Sequence, residues 1–354
     1  MDKKLTSKEY KLDKKIITYN RIRNFLILND GRLSFSNGKL FIINLNGKIE
    51  LEIEKSDYHT QLSNGDIISS LENGSMKIIR LLQNNLYKII YEFESPECYW
   101  NNKVLELENG NILSLYSNST LIVWEKNKNG NEKKKYYIKD KIILNKFSFE
   151  YYHYEYNNII KTNKDEYVYT NSAVIIFLDI KDKISVVLKN KFNYEISSGF
   201  YNMLKIKNLL LICAREGIII YDLKKRQEKE IVKLEFEKPT SIINLSNGNI
   251  LFGAIEEINK TKKIFHRKGG QTFEGYTEIY KYSLFEYQYN GKFLKINQIK
   301  NASDSENREE IIALIELNNI IISGGSDVYF WSYKNKGIKE KNKKKINKKD
   351  FNRK

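Results

Sequence analysis

Apolar residues in this chain fall in short runs, and at four places the same polar signal separates one run from the next. Leu28-Asn29-Asp30-Gly31, Leu62-Ser63-Asn64-Gly65, Leu107-Glu108-Asn109-Gly110 and Leu245-Ser246-Asn247-Gly248 each end one apolar run and begin another. An Asn-Gly or Asp-Gly pair supplies the positive φ angles that a two-residue turn between antiparallel strands requires, so each site predicts a hairpin. A second strand, a small or polar break and a third strand follow. Asn111 to Tyr116, Ser117-Asn118-Ser119 and Thr120-Leu121-Ile122-Val123-Trp124 show the plan, and Ile320 to Ser323, Gly324-Gly325-Ser326-Asp327 and Val328-Tyr329-Phe330-Trp331 repeat it. The chain is therefore read as an array of β-hairpin units.

The order of leucine, turn, small-residue strand, Ser/Asp break and a strand ending in Trp resembles the WD repeat, a four-stranded propeller blade of roughly 40–45 residues. Weaker copies fill the gaps. One starts at Asn163-Lys164-Asp165-Glu166 and has Val174 to Asp179 as third strand; another starts at Lys207-Asn208 and has Ile218 to Asp222. Taking Gly31, Gly65, Gly110, Asp165, Asn208, Gly248 and Asn319 as equivalent gives spacings of 34, 45, 55, 43, 40 and 71 residues. The expectation is an all-β fold, a single closed β-propeller with seven four-stranded blades. Six or eight blades, or a propeller of another sequence family, are the alternatives. Glu256 to Phe273 and Asn301 to Glu310, in the longest interval, read as loops in or after blade six.

Blade seven, Ile311 to Tyr333, has only three strands and would leave an open edge. The run Lys15-Ile16-Ile17-Thr18-Tyr19 has strand composition and is expected to supply the missing outer strand, closing the ring. The domain plan is then an N-terminal segment over 1–20, a propeller over 21–333 and a basic tail over 334–354. Individual repeats are degenerate. Trp-Asp is replaced by Trp124-Glu125, Trp331-Ser332 and Tyr221-Asp222, and with three His in the chain the full His, Ser, Asp and Trp hydrogen-bond set of well-kept WD blades is not expected.

Composition agrees with a folded β protein: 41% of residues are hydrophobic, with 25 Tyr and 17 Phe to fill a core. The heavy use of Asn, Lys, Ile and Tyr reads as a bias of the coding DNA. Lys and Arg number 60 against 44 Asp and Glu, a formal +16, which suggests an acidic partner. Much of it is terminal: residues 334–354 hold ten Lys and one Arg against Glu340 and Asp350, or +9. With three apolar residues that tail is expected to be flexible. Its Lys343, Lys344, Lys345, Lys348 and Lys349 are candidate phosphate contacts, a targeting signal or a solvated extension.

Other candidate chemistry is sparse. His59, His153 and His266 fall in different predicted blades, with no ligand pair among them, so no metal or other cofactor is expected. Cys213 lies in an apolar run and reads as a small buried hydrophobe, while Cys98, near Trp100, reads as the more exposed thiol. Lys262, Lys263, Arg267 and Lys268, with Gly269 and Gly270, form the most suggestive segment: amides of a Gly-rich turn and four cations can hold a phosphate. A solvated insertion loop is the favoured reading of it.

No apolar leader and no uninterrupted apolar stretch of transmembrane length occurs, so an intracellular protein, cytoplasmic or nuclear and without membrane insertion, is expected. The resemblance implies a non-enzymatic scaffold for protein–protein interactions in a multi-component complex. The alternative is an RNA- or ribosome-associated ribonucleoprotein subunit using its basic tail and insertion loop. A propeller enzyme, with ligands gathered around the channel, is the third reading.

Overall fold

The computed structural model describes residues 8–18, 20–71, 73–94, 101–127, 136–144, 158–171, 174–181, 183–191, 202–214, 217–236, 238–266, 272–300, 311–325 and 327–335. These form seven four-stranded antiparallel sheets. After β1 (Lys8–Ile17), blade one contains β2 (Asn24–Ile27), β3 (Leu33–Ser36), β4 (Gly38–Ile43) and β5 (Ile49–Ser56). Blade two contains β6 (Tyr58–Gln61), β7 (Ile67–Ser70), β8 (Met76–Leu81) and β9 (Tyr87–Phe93). Blade three contains β10 (Asn101–Glu106), β11 (Ile112–Tyr116), β12 (Thr120–Lys126) and β13 (Tyr136–Ile143), and blade four β14 (Asn158–Lys161), β15 (Glu166–Thr170), β16 (Val174–Ile180) and β17 (Ile184–Lys191). Blade five contains β18 (Met203–Ile206), β19 (Leu209–Ala214), β20 (Gly217–Asp222) and β21 (Gln227–Val232), and blade six β22 (Lys238–Asn244), β23 (Ile250–His266), β24 (Thr272–Tyr289) and β25 (Phe293–Ile299). Blade seven has β26 (Ala313–Leu317), β27 (Ile320–Gly324) and β28 (Asp327–Asn335), with β1 as its fourth strand. The first strands of successive blades adjoin one another, β14 reaching blade five through the Asn158–Asn202 hydrogen bond, and β2 touches β26, so the ring of innermost strands is closed.

The core is divided among the seven junctions between blades. One apolar cluster lies at each, built from the facing sides of two neighbouring sheets. Blade three shows how one sheet serves two clusters. Leu113, Leu115, Leu121 and Val123 pack towards blade four, while Ile112, Tyr116, Ile122 and Trp124 pack towards blade two. Alternate residues of a strand point to opposite faces, so a sheet covered on both sides needs apolar residues at every position. That is why Ile112 to Tyr116, interrupted only by the small Ser114, and Val174 to Leu178 are apolar runs, buried throughout.

The four signature turns differ from the expected two-residue form. Gly31, Gly65, Gly110 and Gly248 have φ of 83°, 87°, 80° and 84°, whereas the preceding Asn or Asp has a negative φ. Each glycine N–H donates to the leucine carbonyl three residues back, at 2.8 to 2.9 Å, and the leucine N–H donates to the residue after the glycine. This is a three-residue loop with glycine in the left-handed position. The Asx side chain has its own reason to recur from turn to turn: Oδ1 of Asp30, Asn64, Asn109 and Asn247 accepts the N–H two residues on, at 2.8 to 3.0 Å.

Closure follows the expected plan, with a longer strand. β1 pairs antiparallel with β28 from Lys8↔Asn335 to Ile17↔Asp327, so it starts well before Lys15, and Tyr19 lies outside the described residues. Asp13 is an extra residue in that ladder, between Leu12↔Trp331 and Lys14↔Phe330. The same bulge interrupts the outermost pair of every other blade, at Glu50, Ile90, Lys139, Val187, Lys229 and Ile296. A bulge adds local twist. That β1 carries it identifies the strand as a true fourth strand. Further contacts hold it: Tyr10 donates to the buried Glu286 of blade six at 2.6 Å, and Asp327 pairs with Lys15 at 3.0 Å while accepting from Thr18 N–H at 3.0 Å. On the ring side of the same junction, a Cβ at Gly324 would meet Ile22 and Phe25 at 2.9 Å.

One expectation is overturned. Glu256 to Phe273, read as a loop because it is polar and glycine-containing, is largely strand. Above blade six, β23 and β24 continue as a pair from Glu257↔Lys281 to His266↔Thr272. These ten pairs form a two-stranded arm of about 30 Å at ~3.3 Å per residue. The ladder of a two-stranded pair is made by the backbone, so a polar, glycine-containing sequence can form it and still read as a loop. Asn301 to Glu310 lies outside the described residues.

Deleting residues 1–17 is expected to unzip blade seven and lower the melting temperature by well over the ~2–4 °C that one kcal/mol represents in a domain of this size class. Differential scanning calorimetry of the truncated and full chains measures it, and coincident melting curves would refute closure by β1.

Candidate functional site

Solvent reaches an innermost strand of a propeller from the axial channel or from its ends, and the burial pattern shows which side chains meet it. Counting back from the turn that follows each innermost strand, the third position is Phe25, His59, Val104, Ile159, Met203, Ile242 or Leu314, mostly buried between blades. The second position is half-exposed in all seven blades: Leu26, Thr60, Leu105, Ile160, Leu204, Ile243 and Ile315. The six aliphatic side chains of this set pack against the clusters between blades, and the seventh is a hydroxyl. The fourth position forms a different layer: Asn24, Tyr58, Lys103, Asn158, Asn202, Ser241 and Ala313.

This polar layer is partly cross-linked. Lys103 Nζ donates to Asn158 Oδ1 at 2.8 Å, and Asn158 Nδ2 donates to Asn202 Oδ1 at 3.5 Å. Asn24 is taken up elsewhere, giving Nδ2 to the His59 carbonyl and accepting from Ser36, and Ser241 donates to the Ile311 carbonyl. Lys103 retains some exposed surface, yet desolvation lowers its pKa to about 8. Burial likewise raises Tyr58 to about 12. Lys103 is thus a desolvated lysine in a layer whose other residues are neutral. Among the described residues no group of three His, Cys, Asp or Glu side chains is placed to share a metal ion.

The face that carries the signature turns is tied together around the ring. At five of seven junctions the last polar residue before the turn reaches back to the turn of the preceding blade. Gln61 Oε1 accepts from Asn29 N–H at 2.8 Å; Glu106 accepts from Ser63 N–H and Oγ at 2.5 and 2.9 Å; Glu316 accepts from Ser246 N–H and Oγ at 2.5 and 2.9 Å. Lys161 pairs with Glu108 at 2.5 Å, and Lys205 donates to the Thr162 carbonyl. These links fix the relative positions of the turns on this face.

Half of the WD-type hydrogen-bond set survives. Trp124 Nε1 donates to Ser114 Oγ at 2.8 Å and Trp331 Nε1 to Ser323 Oγ at 3.0 Å, both bonds buried between the second and third strands of a blade. His59 sits 2.8 Å from Ser34 Oγ through Nε2, across the junction of blades one and two, and Nδ1 has no partner. Burial holds its pKa down to about 3, so the ring is neutral. Cys213 is buried and its thiol is pushed well above the usual range.

Of the cations singled out in the sequence, Lys262 and Lys263 lie on the arm, in register with Tyr276 and Gly275. Arg267 and Lys268 lie outside the described residues, as do Lys343, Lys344, Lys345, Lys348, Lys349, His153 and Cys98. Sequence reasoning passed over the polar channel layer, although its signal is present as a fixed offset of four residues before each turn. No helix among the described residues is long and apolar enough to cross a membrane.

No protein-family model matches the chain. No curated protein matches it either. Many solved structures do. The chain is similar to the WD40 β-propeller domain of Doa1, with a TM-score of 0.62 and 12% identity over 91% of this chain and 97% of that one. At that identity the likeness is one of fold, and it agrees with the seven blades seen here.

Two expected outcomes follow from the buried polar groups. Ser114→Ala leaves the Trp124 N–H without an acceptor and should cost about 1–3 kcal/mol in urea unfolding, whereas Trp124→Phe in the same background should recover part of that loss. For His59 the folded pKa lies below the unfolded value of about 6.5, so unfolding takes up a proton between pH 6.5 and 3 and stability falls as pH falls through 6.5. Lowering the pH from 7 to 5 should cost about 2 kcal/mol through this residue, and that share of the pH dependence should vanish in His59→Gln. Equal slopes in the two proteins would refute it.

Proposed function

We propose that this WD40-type propeller is a non-enzymatic scaffold that holds protein partners in a multi-component complex, with the blade-six arm as a principal contact. The observation that carries the reading is the contrast between the ring and the arm. The ring is covered at all seven blade junctions and pinned at five of them on one face, whereas the ten outer pairs of β23 and β24 are paired only with each other among the described strands. The inner and outer strands of blade six do not extend along the arm, since β22 pairs with β23 only as far as Ile255 and β25 with β24 only from Leu284 onward. The two strand edges of the arm suit a partner that adds a strand, because main-chain hydrogen bonds then supply affinity. The likeness of fold supports a platform role in the same way, since propellers present loop-lined faces on a rigid disc.

A second reading is favoured by charge alone. The +9 carried by residues 334–354 suits the phosphate backbone of RNA, with Lys262 and Lys263 on the arm as additional contacts. On that reading the chain is a ribonucleoprotein subunit.

The test is affinity purification of the tagged chain from its native cells in three forms: full length, lacking residues 257–281 with a short turn joining the blade strands, and lacking residues 336–354. Scaffolding through the arm predicts a defined protein set lost with residues 257–281 and kept without the tail. RNA recovered with the full chain, lost with the tail and released steeply by salt would establish the second reading instead. An identical protein set from all three forms would refute the arm as the contact.

A further inference from the structure

Eight Asn-Gly pairs occur in the chain, and all but Asn129-Gly130 lie among the described residues. Such a pair can lose its side-chain amide without an enzyme. The glycine N–H gives its proton to hydroxide, the nitrogen bonds to the asparagine Cγ, and the Cγ–Nδ2 bond breaks to release ammonia. Water then opens the resulting succinimide at either carbonyl, leaving aspartate or isoaspartate and one new negative charge. Glycine permits the ring closure because it has no Cβ to obstruct it. The reacting residues are the same at every pair, so the fold decides which of them react. A hydrogen bond from the glycine N–H favours its protonated form and opposes attack. Hydrogen bonds on the asparagine amide hold Cγ in the pose of the turn.

Most of the pairs carry one or both restraints. At Gly47, Gly65, Gly74, Gly110 and Gly248 the N–H donates to the carbonyl three residues back, at 2.8 to 2.9 Å. Asn64, Asn73, Asn109 and Asn247 are also tied through Oδ1, which accepts the N–H two residues on at 2.8 to 3.1 Å. Three of them use Nδ2 as well: Asn64 on Asp66, Asn109 on the Lys181 carbonyl and Asn247 on the buried Glu286. Asn37 is buried, and Gly38 is already in β4, opposite Ser56. Asn46 separates the two restraints. Its side chain has no hydrogen-bond partner among the described residues, whereas Gly47 N–H is held and Gly47 is buried against Lys14.

Asn290-Gly291, in the turn from β24 to β25, has neither restraint. Both residues are exposed, and a Cβ at Gly291 would meet nothing within 4 Å. Among the described residues neither Gly291 N–H nor the Asn290 side chain has a hydrogen-bond partner. The bond Asn290 does make runs from its own N–H to the Lys292 carbonyl at 3.3 Å, which leaves the reacting atoms free. We propose that Asn290 is a site of spontaneous deamidation, and that the hydrogen bonds of the other described Asn-Gly turns protect them from the same reaction. The product puts a carboxylate beside Lys292, at the end of β24 opposite the arm. Where water opens the ring to isoaspartate, the backbone also gains a methylene inside the hairpin closed by Tyr289↔Phe293. The chain thus acquires charge with age at one defined turn, whatever its partners.

Peptide-resolved mass spectrometry of the full chain, incubated in mildly alkaline buffer, follows the mass gained as an amide becomes a carboxylate at each described pair. Asn290 is expected to convert first. Its rate should exceed those of Asn64, Asn73, Asn109 and Asn247 by about tenfold or more, the rate equivalent of one hydrogen bond worth ~1.4 kcal/mol. Asn46, with one restraint, should fall between. In concentrated guanidinium chloride, where no turn survives, the rates should converge, because every pair then has the same freedom. Conversion at Asn290 no faster than at the restrained turns, Asn46 overtaking it, or a lead that persists undiminished in the unfolded chain would each overturn the assignment.

Discussion

Each blade has two apolar faces, and a four-stranded sheet of this kind cannot stand in water until both are covered. A row of such sheets always leaves two faces bare, one at each end, and only a closed ring leaves none. The pairing of β1 with β28 is the point at which that constraint is met, since it brings the two ends of the described chain into one sheet. The other contacts at the seam follow from it. Ile22 N–H donates to the Gly325 carbonyl at 2.6 Å, and Ile22, Phe35 and Val328 share a core cluster between blades seven and one. The buried Glu286 gathers Tyr10 from the closing strand together with Asn247 and Asn249 of the blade-six turn. Closure is thus a set of bonds reaching into two neighbouring blades as well as one strand ladder.

How much of this could be read from the sequence depended on where a strand sits along the radius of the ring. Second and third strands are covered on both faces, so Ile112 to Tyr116, apolar but for Ser114, and Val174 to Leu178, apolar throughout, stand out. The turns before them were equally plain, because the left-handed φ of Gly65 or Gly110 restricts the residue type. Fourth strands were obscure for a physical reason: each carries a bulge, which breaks the period of two, and each has one edge in solvent. Lys8 to Ile17 is Lys-rich for this reason and was recognised only over its apolar end. The arm failed for a related reason. Thr261, Lys262, Lys263 and Gly275 give no apolar alternation, and composition then says loop while the backbone says strand.

The channel was obscure in another way. Asn24, Tyr58, Lys103, Asn158 and Asn202 share no residue type, and each looks ordinary beside its sequence neighbours. Their relation is one of register, four residues ahead of a turn, and it acquires meaning only once the seven innermost strands are set around one axis. Lys103 illustrates the point. In sequence it is one of many lysines in a lysine-rich chain, and only the ring surrounds it with enough protein to lower its pKa to about 8.

The same logic accounts for a repeat that keeps its architecture while losing its signature. At the links between neighbouring turns the partners are an amide and a backbone N–H at Gln61, a carboxylate and a hydroxyl at Glu106 and Glu316, and an ammonium and a carboxylate at Lys161 and Glu108. The chemistry changes and even the direction of charge reverses, yet the position in the register is constant. A buried or bridging position asks for one satisfied hydrogen bond, and several residue pairs can supply it at similar net free energy. The Trp–Ser bonds of blades three and seven and the His59–Ser34 contact are solutions of the same kind at other positions. Selection on such a fold acts on whether each position is satisfied, and identity is free to drift. The positions where residue type is narrowly fixed are then few: glycine at a left-handed φ, and glycine at Gly324, where the approach of Ile22 and Phe25 leaves no room for a Cβ.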